Sequence, residues 1–167
     1  MAAPVWSVGQ VLTASDVNTW FVPLAAYRTS NSAQVKNTTL TPDPVLFVPV
    51  AANAIYEFRC YLNAASASTT SGMSMTFTVP AGSGGSYSGW LFNSGGGQFQ
   101  APTSIGVQRN GLVGATANAN YSSSWFGGLR TGGTAGNFQV NWCETTLDAT
   151  NGAYMLTDSA LILNRVG

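Results

Sequence analysis

The sequence predicts an all-β fold: an antiparallel β-sandwich, jelly-roll-like, behind a short N-terminal helical anchor segment. Three observations carry this expectation. From Ile55 to Leu62 the residues Tyr56, Phe58, Cys60 and Leu62 share one side, while Glu57 and Arg59 share the other with Ile55 and Tyr61. A period of two over that length makes a strand with one dry face and one largely wet face. Similar runs recur between Gly-rich turns, about eight in all. After residue 24 no run has helical amphipathic spacing, and strands without helices pack as sheet on sheet.

Composition bounds the rest. The chain has 167 residues, enough for one domain or one domain with a small appendage. A chain of this length buries roughly 70% of the surface its unfolded form exposes, so its core needs neither metal nor disulfide. Hydrophobic residues make up 45% and charged residues only 7%, against about 25% charged in typical soluble domains. Six basic and six acidic side chains cancel, and histidine is absent. One lysine, Lys36, is a thin guard for exposed sheet edges. Because near-zero net charge promotes association, partner subunits are expected to cover part of the surface. Neutrality argues against nucleic acid, which is held mainly by Lys and Arg on phosphate. It also leaves no polybasic segment for an anionic membrane. The opening Met1-Ala-Ala-Pro-Val-Trp6 is not a secretory signal. No run approaches the roughly 18 apolar residues of a membrane helix. Synthesis in a cytosol is expected.

Residues 1–29 read as the anchor and residues 30–167 as the sandwich. Thr13 is placed to cap a helix, with Asp16 three residues on able to reach back to the cap amide. Leu12 and Val17 have the spacing of a hydrophobic staple. Val17, Trp20, Phe21 and Leu24 then share a side, and Pro23 ends the helix near Val22. Two turns of helix are not stable alone in water. This apolar face, with Val5 and Trp6 upstream, must dock on its own sandwich or on another protein; the density of aromatic residues favours the second.

Residues 30–41 are a polar linker that pairs as a first strand around Val35. Val45–Val50 is a strand whose Pro49 confines it to a sheet edge or a bulge. Ala51-Ala52-Asn53 is short, so this strand and Ile55–Leu62 are expected to pair as antiparallel neighbours. Gly72–Val79 places Met73, Met75, Phe77 and Val79 inward, with Ser74, Thr76 and Thr78 outward. Tyr87–Phe92 is a short aromatic strand. Ser104–Arg109 alternates, with Ile105 and Val107 on one face, and Asn110-Gly111 reads as a hairpin turn into Leu112-Val113. Tyr121–Arg130 carries Trp125, Phe126 and Leu129. Asn137–Leu147 turns Phe138, Val140 and Trp142 inward, and Asn151-Gly152 is a second hairpin signal leading to Tyr154–Leu156. Ala160–Leu163 is continuously apolar, so both of its faces are expected to be covered.

Chemistry is scarce. Serine and thiol nucleophiles need a base, normally histidine, and there is none. Cys60 is in phase with the dry face and Cys143 out of phase with Phe138, Val140 and Trp142. A bridge needs Cβ atoms about 4 Å apart, so free thiols are expected, at least one of them buried. Glu57 and Glu144 are the plausible carboxylate pair for a glycosidase, but read better as solvated strand residues pairing with Arg59 or Arg130. Asp148-Ala-Thr-Asn-Gly lacks the ligand spacing of a calcium loop. Zinc clusters are missing, and no Gly-rich run opens a helix or holds a lysine as a P-loop would. No catalytic residue, metal or cofactor is expected. Tyr87, Trp90, Trp125 and Phe126, near loops rich in Gly, Ser and Asn, are either core rings or a possible glycan-binding surface.

The segment Trp6-Ser-Val-Gly9-Gln10-Val-Leu12-Thr13-Ala14-Ser-Asp16-Val-Asn18-Thr-Trp20 resembles the opening of many bacteriophage virion proteins, where Gly-x-x-Leu-Thr-Ala begins a fibre or minor tail subunit. Leu40-Thr-Pro-Asp43-Pro-Val-Leu46, Val50-Ala-Ala-Asn53-Ala-Ile-Tyr56 and the closing Ser159-Ala-Leu-Ile-Leu-Asn-Arg165-Val166 are similar to actinobacterial phage minor tail or decoration-type proteins. The resemblance implies a non-enzymatic virion surface protein, a homotrimer of jelly-roll domains made in the host cytoplasm. Its partners would be itself and capsid or tail proteins, with Val5, Trp6, Leu12, Val17, Trp20 and Phe21 fixing it to the particle. The alternative is a carbohydrate-binding, receptor-recognition module of a phage tail.

Overall fold

The computed structural model describes residues 7–93, 96–113 and 117–167. Eleven strands among them form two antiparallel sheets. The larger sheet is assembled from β1 (Leu24–Tyr27), β3 (Ile55–Ser66), β5 (Gly84–Asn93), β6 (Gly96–Ser104), β8 (Tyr121–Arg130) and β11 (Ala160–Arg165). Their order is β1-β11-β3-β8-β5-β6, and the short β10 (Ala153–Met155) pairs with the far end of β3. The smaller sheet has the order β2-β9-β4-β7, from β2 (Thr41–Val50), β4 (Gly72–Thr78), β7 (Arg109–Val113) and β9 (Gly136–Glu144). From β2 to β9 the chain changes sheet at every connection except β5 to β6. The two four-strand sets β2-β9-β4-β7 and β3-β8-β5-β6 are therefore the interleaved Greek keys of a jelly roll.

That connectivity corrects three expectations. Val45–Val50 does not pair with Ile55–Leu62: β2 pairs with β9 in one sheet, β3 with β8 and β11 in the other. Val48 and Val50 bury into the core from one side, Tyr56 and Phe58 from the other. The chain crosses between them at a corner held by Thr131, whose Oγ1 accepts from Ala54 N at 2.8 Å and donates to Ala51 O at 2.7 Å. Asn53 takes φ +52° there, a left-handed conformation that asparagine tolerates. Asn110-Gly111 lies inside β7 and is no turn; the turn comes earlier, at Gly106 with φ +95°. The signal at Asn151-Gly152 marks a crossover from β9 in one sheet to β10 in the other.

The core is a chain of rings drawn from both sheets. Phe77 and Phe138 of the smaller sheet stack at 5.0 Å, and Phe58 of the larger sheet meets them at 5.0 and 4.7 Å. Tyr87 meets Phe77 edge-on at 5.0 Å and Trp125 at 5.6 Å. Each such pair adds about 0.5–1.5 kcal/mol beyond the area it buries. The rings lie close because the strands beneath are bare: a Cβ on Gly127 would stand 2.9 Å from the Phe58 ring and 2.2 Å from Ser86 O.

The N-terminal helix α1 (Ala14–Trp20) begins as expected. Asp16 N donates to Thr13 Oγ1 and Thr13 N to Asp16 Oδ2, closing the capping box. The strand β1 already belongs to the larger sheet, so the sandwich takes up the chain at Leu24, before the boundary expected at residue 30. The residues around Val35 contribute only a single bridge, to Ala153. Ser74 and Thr76, expected to face water, are buried. Ser74 Oγ bonds Asn110 Oδ1 and Thr145 Oγ1, and Thr76 Oγ1 donates to Val107 O. Pro49 sits on an edge strand, as its missing donor requires.

At the opposite end of β2 from Pro49, the segment Pro42-Asp43-Pro44 ties the two sheets together. Asp43 is fully buried and accepts from Arg28 Nη2 at 2.8 and 2.7 Å, from the Val45 and Leu46 amides at 2.9 Å each, and from Trp142 Nε1 at 2.9 Å. Arg28 follows β1, and Trp142 lies on β9. The carboxylate also coincides with the register shift in β2 between Pro42 and Phe47.

Candidate functional site

Two exposed surfaces carry most of the residues expected to function. The first is the N-terminal segment. Val5, Trp6 and the Trp20 side chain lie outside the described residues. Of the other expected anchoring residues, Leu12, Val17 and Phe21 are exposed, Phe21 by 59%, together with Val8, Val11 and Val22. The helix therefore does not bury these residues on its own sandwich.

The second is the outer face of the larger sheet. Odd-numbered residues of β3 and even-numbered residues of β8 and β5 point to it, as the register and burial patterns fix. One transverse register row crosses six strands, running Tyr27, Ala160, Tyr61, Ser124, Trp90, Phe99. Its four rings are all exposed. Trp90 and Phe99 pack at 5.4 Å, with the neighbouring Phe92 ring lying over bare Gly97. The next row carries Ala25, Ile162, Arg59, Phe126 and Ser88, with Phe126 also exposed. Ile162 is only half-buried, so the terminal strand is covered fully on its inner face alone.

Among the four residues expected for glycan contact, Trp90 and Phe126 lie on this face, and Tyr87 and Trp125 do not. Tyr87 and Trp125 are each 1% exposed, because odd-numbered positions of β5 and β8 face the core. The Trp125 indole donates to Ser123 Oγ at 2.9 Å, and the Tyr87 hydroxyl to Val107 O at 2.5 Å. Sequence reasoning missed Tyr27, Tyr61 and Phe99. Tyr61 was legible as an outward residue of its strand, whereas the row it joins depends on register.

A recess of about 510 Å³ beside Tyr61 is lined by Glu57, Arg59, Ser124 and Phe126 among others. On the other side of the row a second recess of similar volume is lined by Asn31, Asn63, Asn120, Ser122, Tyr154 and Asp158, with Leu156 and Thr157. Tyr27 reaches this rim and donates its hydroxyl to Asp158 Oδ1. That bond holds the Tyr27 phenol above its usual range. Asn63 Oδ1 accepts from Ser122 Oγ at 2.8 Å, and Asn31 Oδ1 from Thr157 N at 3.0 Å.

The carboxylates considered as an acid–base pair are kept apart. Glu57 is on the outer face and accepts from Asn164 Nδ2 at 3.0 Å. Glu144, expected to be solvated, is fully buried at the end of β9, bonded by Ser71 Oγ at 2.9 Å and Asp148 N at 3.2 Å. Neither carboxylate forms an ion pair with Arg59 or Arg130. Both cysteines are free and buried. Burial, aided by the Asp43 charge, pushes the Cys60 thiol far up; burial and Glu144 raise Cys143. Among the described residues no group of three His, Cys, Asp or Glu side chains could hold a metal.

The fold defines the class as a jelly-roll sandwich, a frame that serves capsid subunits and lectins alike and does not by itself assign a function. No protein-family model matches the chain, and no curated protein matches it significantly.

Proposed function

We propose that this chain is a non-enzymatic structural protein of a bacteriophage virion. It is displayed on the particle surface, as capsid decoration, head fibre or minor tail protein, in the form of a homotrimer of jelly-roll domains fixed by its N-terminal segment. One observation carries the reading. A self-capped helix and its flanks hold Val8, Val11, Leu12, Val17, Phe21 and Val22 in solvent beside a sandwich whose core is already closed. Burying such side chains is worth roughly 1.5–3 kcal/mol each, a gain available only against another surface. Three copies in one trimer multiply the hold. The resemblance of the N-terminal stretch to virion proteins supplies the partner.

Removing residues 1–22 leaves β1 intact and tests the anchor. The truncated sandwich is expected to melt with the full chain and to be missing from assembled particles. Incorporation at full occupancy would remove the anchor reading, and sedimentation of the full chain as a monomer would remove the trimer. A second reading, a carbohydrate-binding module for host recognition, is favoured by the exposed rings Tyr61, Trp90, Phe99 and Phe126 on a sheet face with few charges.

A further inference from the structure

We propose that the row Tyr27–Tyr61–Trp90 across the larger sheet is a binding platform for a neutral, extended β-linked polysaccharide, with Phe99 closing one end. This deepens the carbohydrate reading and does not depend on how the chain is anchored. The row places its first three rings on alternate strands, with the small residues Ala160 and Ser124 between them. Strands are about 4.8 Å apart, so successive ring positions lie roughly 10 Å apart. In an extended β-1,4-linked chain alternate sugars present the same face, and their separation is commensurate with that spacing. Each ring can stack on the apolar C–H face of every second sugar, and Ala160 and Ser124 leave room for the intervening ones.

Adjacent chemistry suits a polyol. The recess beyond Asn63 and Ser122 presents amides, hydroxyls and the single carboxylate Asp158, the groups that bond sugar hydroxyls. No charged residue lies in the ring row itself, and in the recess beside Tyr61 the residues Glu57 and Arg59 offset each other, so the row favours a ligand without net charge. Sheet twist sets the conformation. Strands rotate by about 20–25° each, which turns rings two strands apart by roughly 40–50° about the row. A chain that follows them is helically twisted, so single soluble chains fit and the flat face of a crystalline fibre does not.

The test is calorimetric titration of the full-length protein with cellohexaose and chitohexaose, with maltohexaose as a curved α-linked control. Binding of at least one β-linked hexasaccharide and not of maltohexaose is expected. Tyr61→Ala and Trp90→Ala should each weaken it about tenfold or more, as for central contact residues. Phe47→Ala, on the smaller sheet, should leave it unchanged. Both rings of the test are exposed, so unchanged melting temperatures establish that the variants fold. The proposal is overturned if no β-linked hexasaccharide binds, if maltohexaose binds equally, or if the Tyr61 and Trp90 variants bind as the parent does. It is overturned too if Trp90→Ala converts an oligomer into monomers in sedimentation, which would make the row a subunit interface.

Discussion

Replacing Asp43 by Asn exchanges one oxygen for an NH2 group at almost constant volume, so its effect reports electrostatics and hydrogen bonding rather than packing. The parent carboxylate is fully buried and takes hydrogen bonds from Arg28, the Val45 and Leu46 amides and Trp142 Nε1. An amide keeps one oxygen, which the two backbone donors can share. Its nitrogen then faces the Arg28 guanidinium and the Trp142 indole, donor against donor. Arg28 is itself 3% exposed, and its Nε already has no partner among the described residues, so it cannot re-pair without moving. Breaking a buried pair by removing one partner costs about 3–5 kcal/mol. At roughly 2–4 °C per kcal/mol for a domain of this size, the melting temperature should fall by about 6–20 °C. Arg28→Met should cost less, because the carboxylate retains three N–H donors, and combining it with Asp43→Asn should restore part of the loss. Urea titrations of the four proteins of this cycle give the coupling. A loss below about 1 kcal/mol for Asp43→Asn, or a double variant no more stable than it, would refute the idea that this ion pair joins the sheets.

Other outcomes follow from the same structure. Gly127→Ala forces a Cβ to within 2.2 Å of Ser86 O, and should cost about 1–3 kcal/mol in urea unfolding. Gly84→Ala, with nothing within 4 Å, should change stability by less than about 0.5 kcal/mol. Neither cysteine should react with a disulfide reagent in the native protein at mildly alkaline pH, because burial raises both thiols; thiol release should follow global unfolding. With no histidine, stability should be flat between about pH 5 and 8. Hydrogen bonds donated by the Asn151 and Thr150 amides lower the Asp148 carboxyl, and the Thr13 hydroxyl lowers Asp16. A depressed carboxyl contributes stability above its unfolded value of about 3.9, which is lost as pH falls through the lower folded value. Amide protection factors at residues 13–17 and 148–152 should therefore fall only in strong acid, and a loss of protection near neutrality would contradict the assignment.

Local grammar was legible and long-range pairing was not. The capping box at Thr13 and Asp16, the dry face of Ile55–Leu62 and the edge position of Pro49 each depend on a few consecutive residues, and each stands as read. Of the turn readings that failed, Asn110-Gly111 lies inside β7, and the other two failed for one shared reason. In a jelly roll nearly every short connection bridges two sheets, so Ala51-Ala52-Asn53 and Asn151-Gly152 carry turn chemistry without joining strand neighbours. Ser74 and Thr76 look like wet residues in an alternating strand, but their partners Asn110, Thr145 and Val107 are distant in sequence. The same limit hid the ring row. Trp90 was visible as an aromatic residue near glycines, yet its relation to Tyr61 exists only because both pair with Ser124.

The scarcity of charge takes on meaning once the charges are located. Arg28, Asp43 and Glu144 are inside the sandwich. Asp16 and Asp148 are occupied by local turns, and Asp158 holds Tyr27. On the outer face of the larger sheet, Glu57, Arg59 and Arg130 fall in register rows other than the one that carries Tyr27, Tyr61, Trp90 and Phe99. A contiguous exposed apolar patch is ordinarily kept small or broken up by charges, which prevents association. Here the rings are instead separated by Ser and Ala, and a recess of amides and hydroxyls lies alongside. Such a face repels neither a neutral polymer nor a copy of itself, and the spacing of its rings distinguishes the two. A subunit interface needs complementary relief over the whole patch, whereas a glycan needs only rings at a regular step. Moving one ring by a strand tests that distinction: Ser124→Tyr combined with Tyr61→Ser keeps the number of aromatic residues and breaks the step. Hexasaccharide binding should be lost while the oligomeric state stays unchanged, and retention of full binding would show that ring count, not ring spacing, governs this surface.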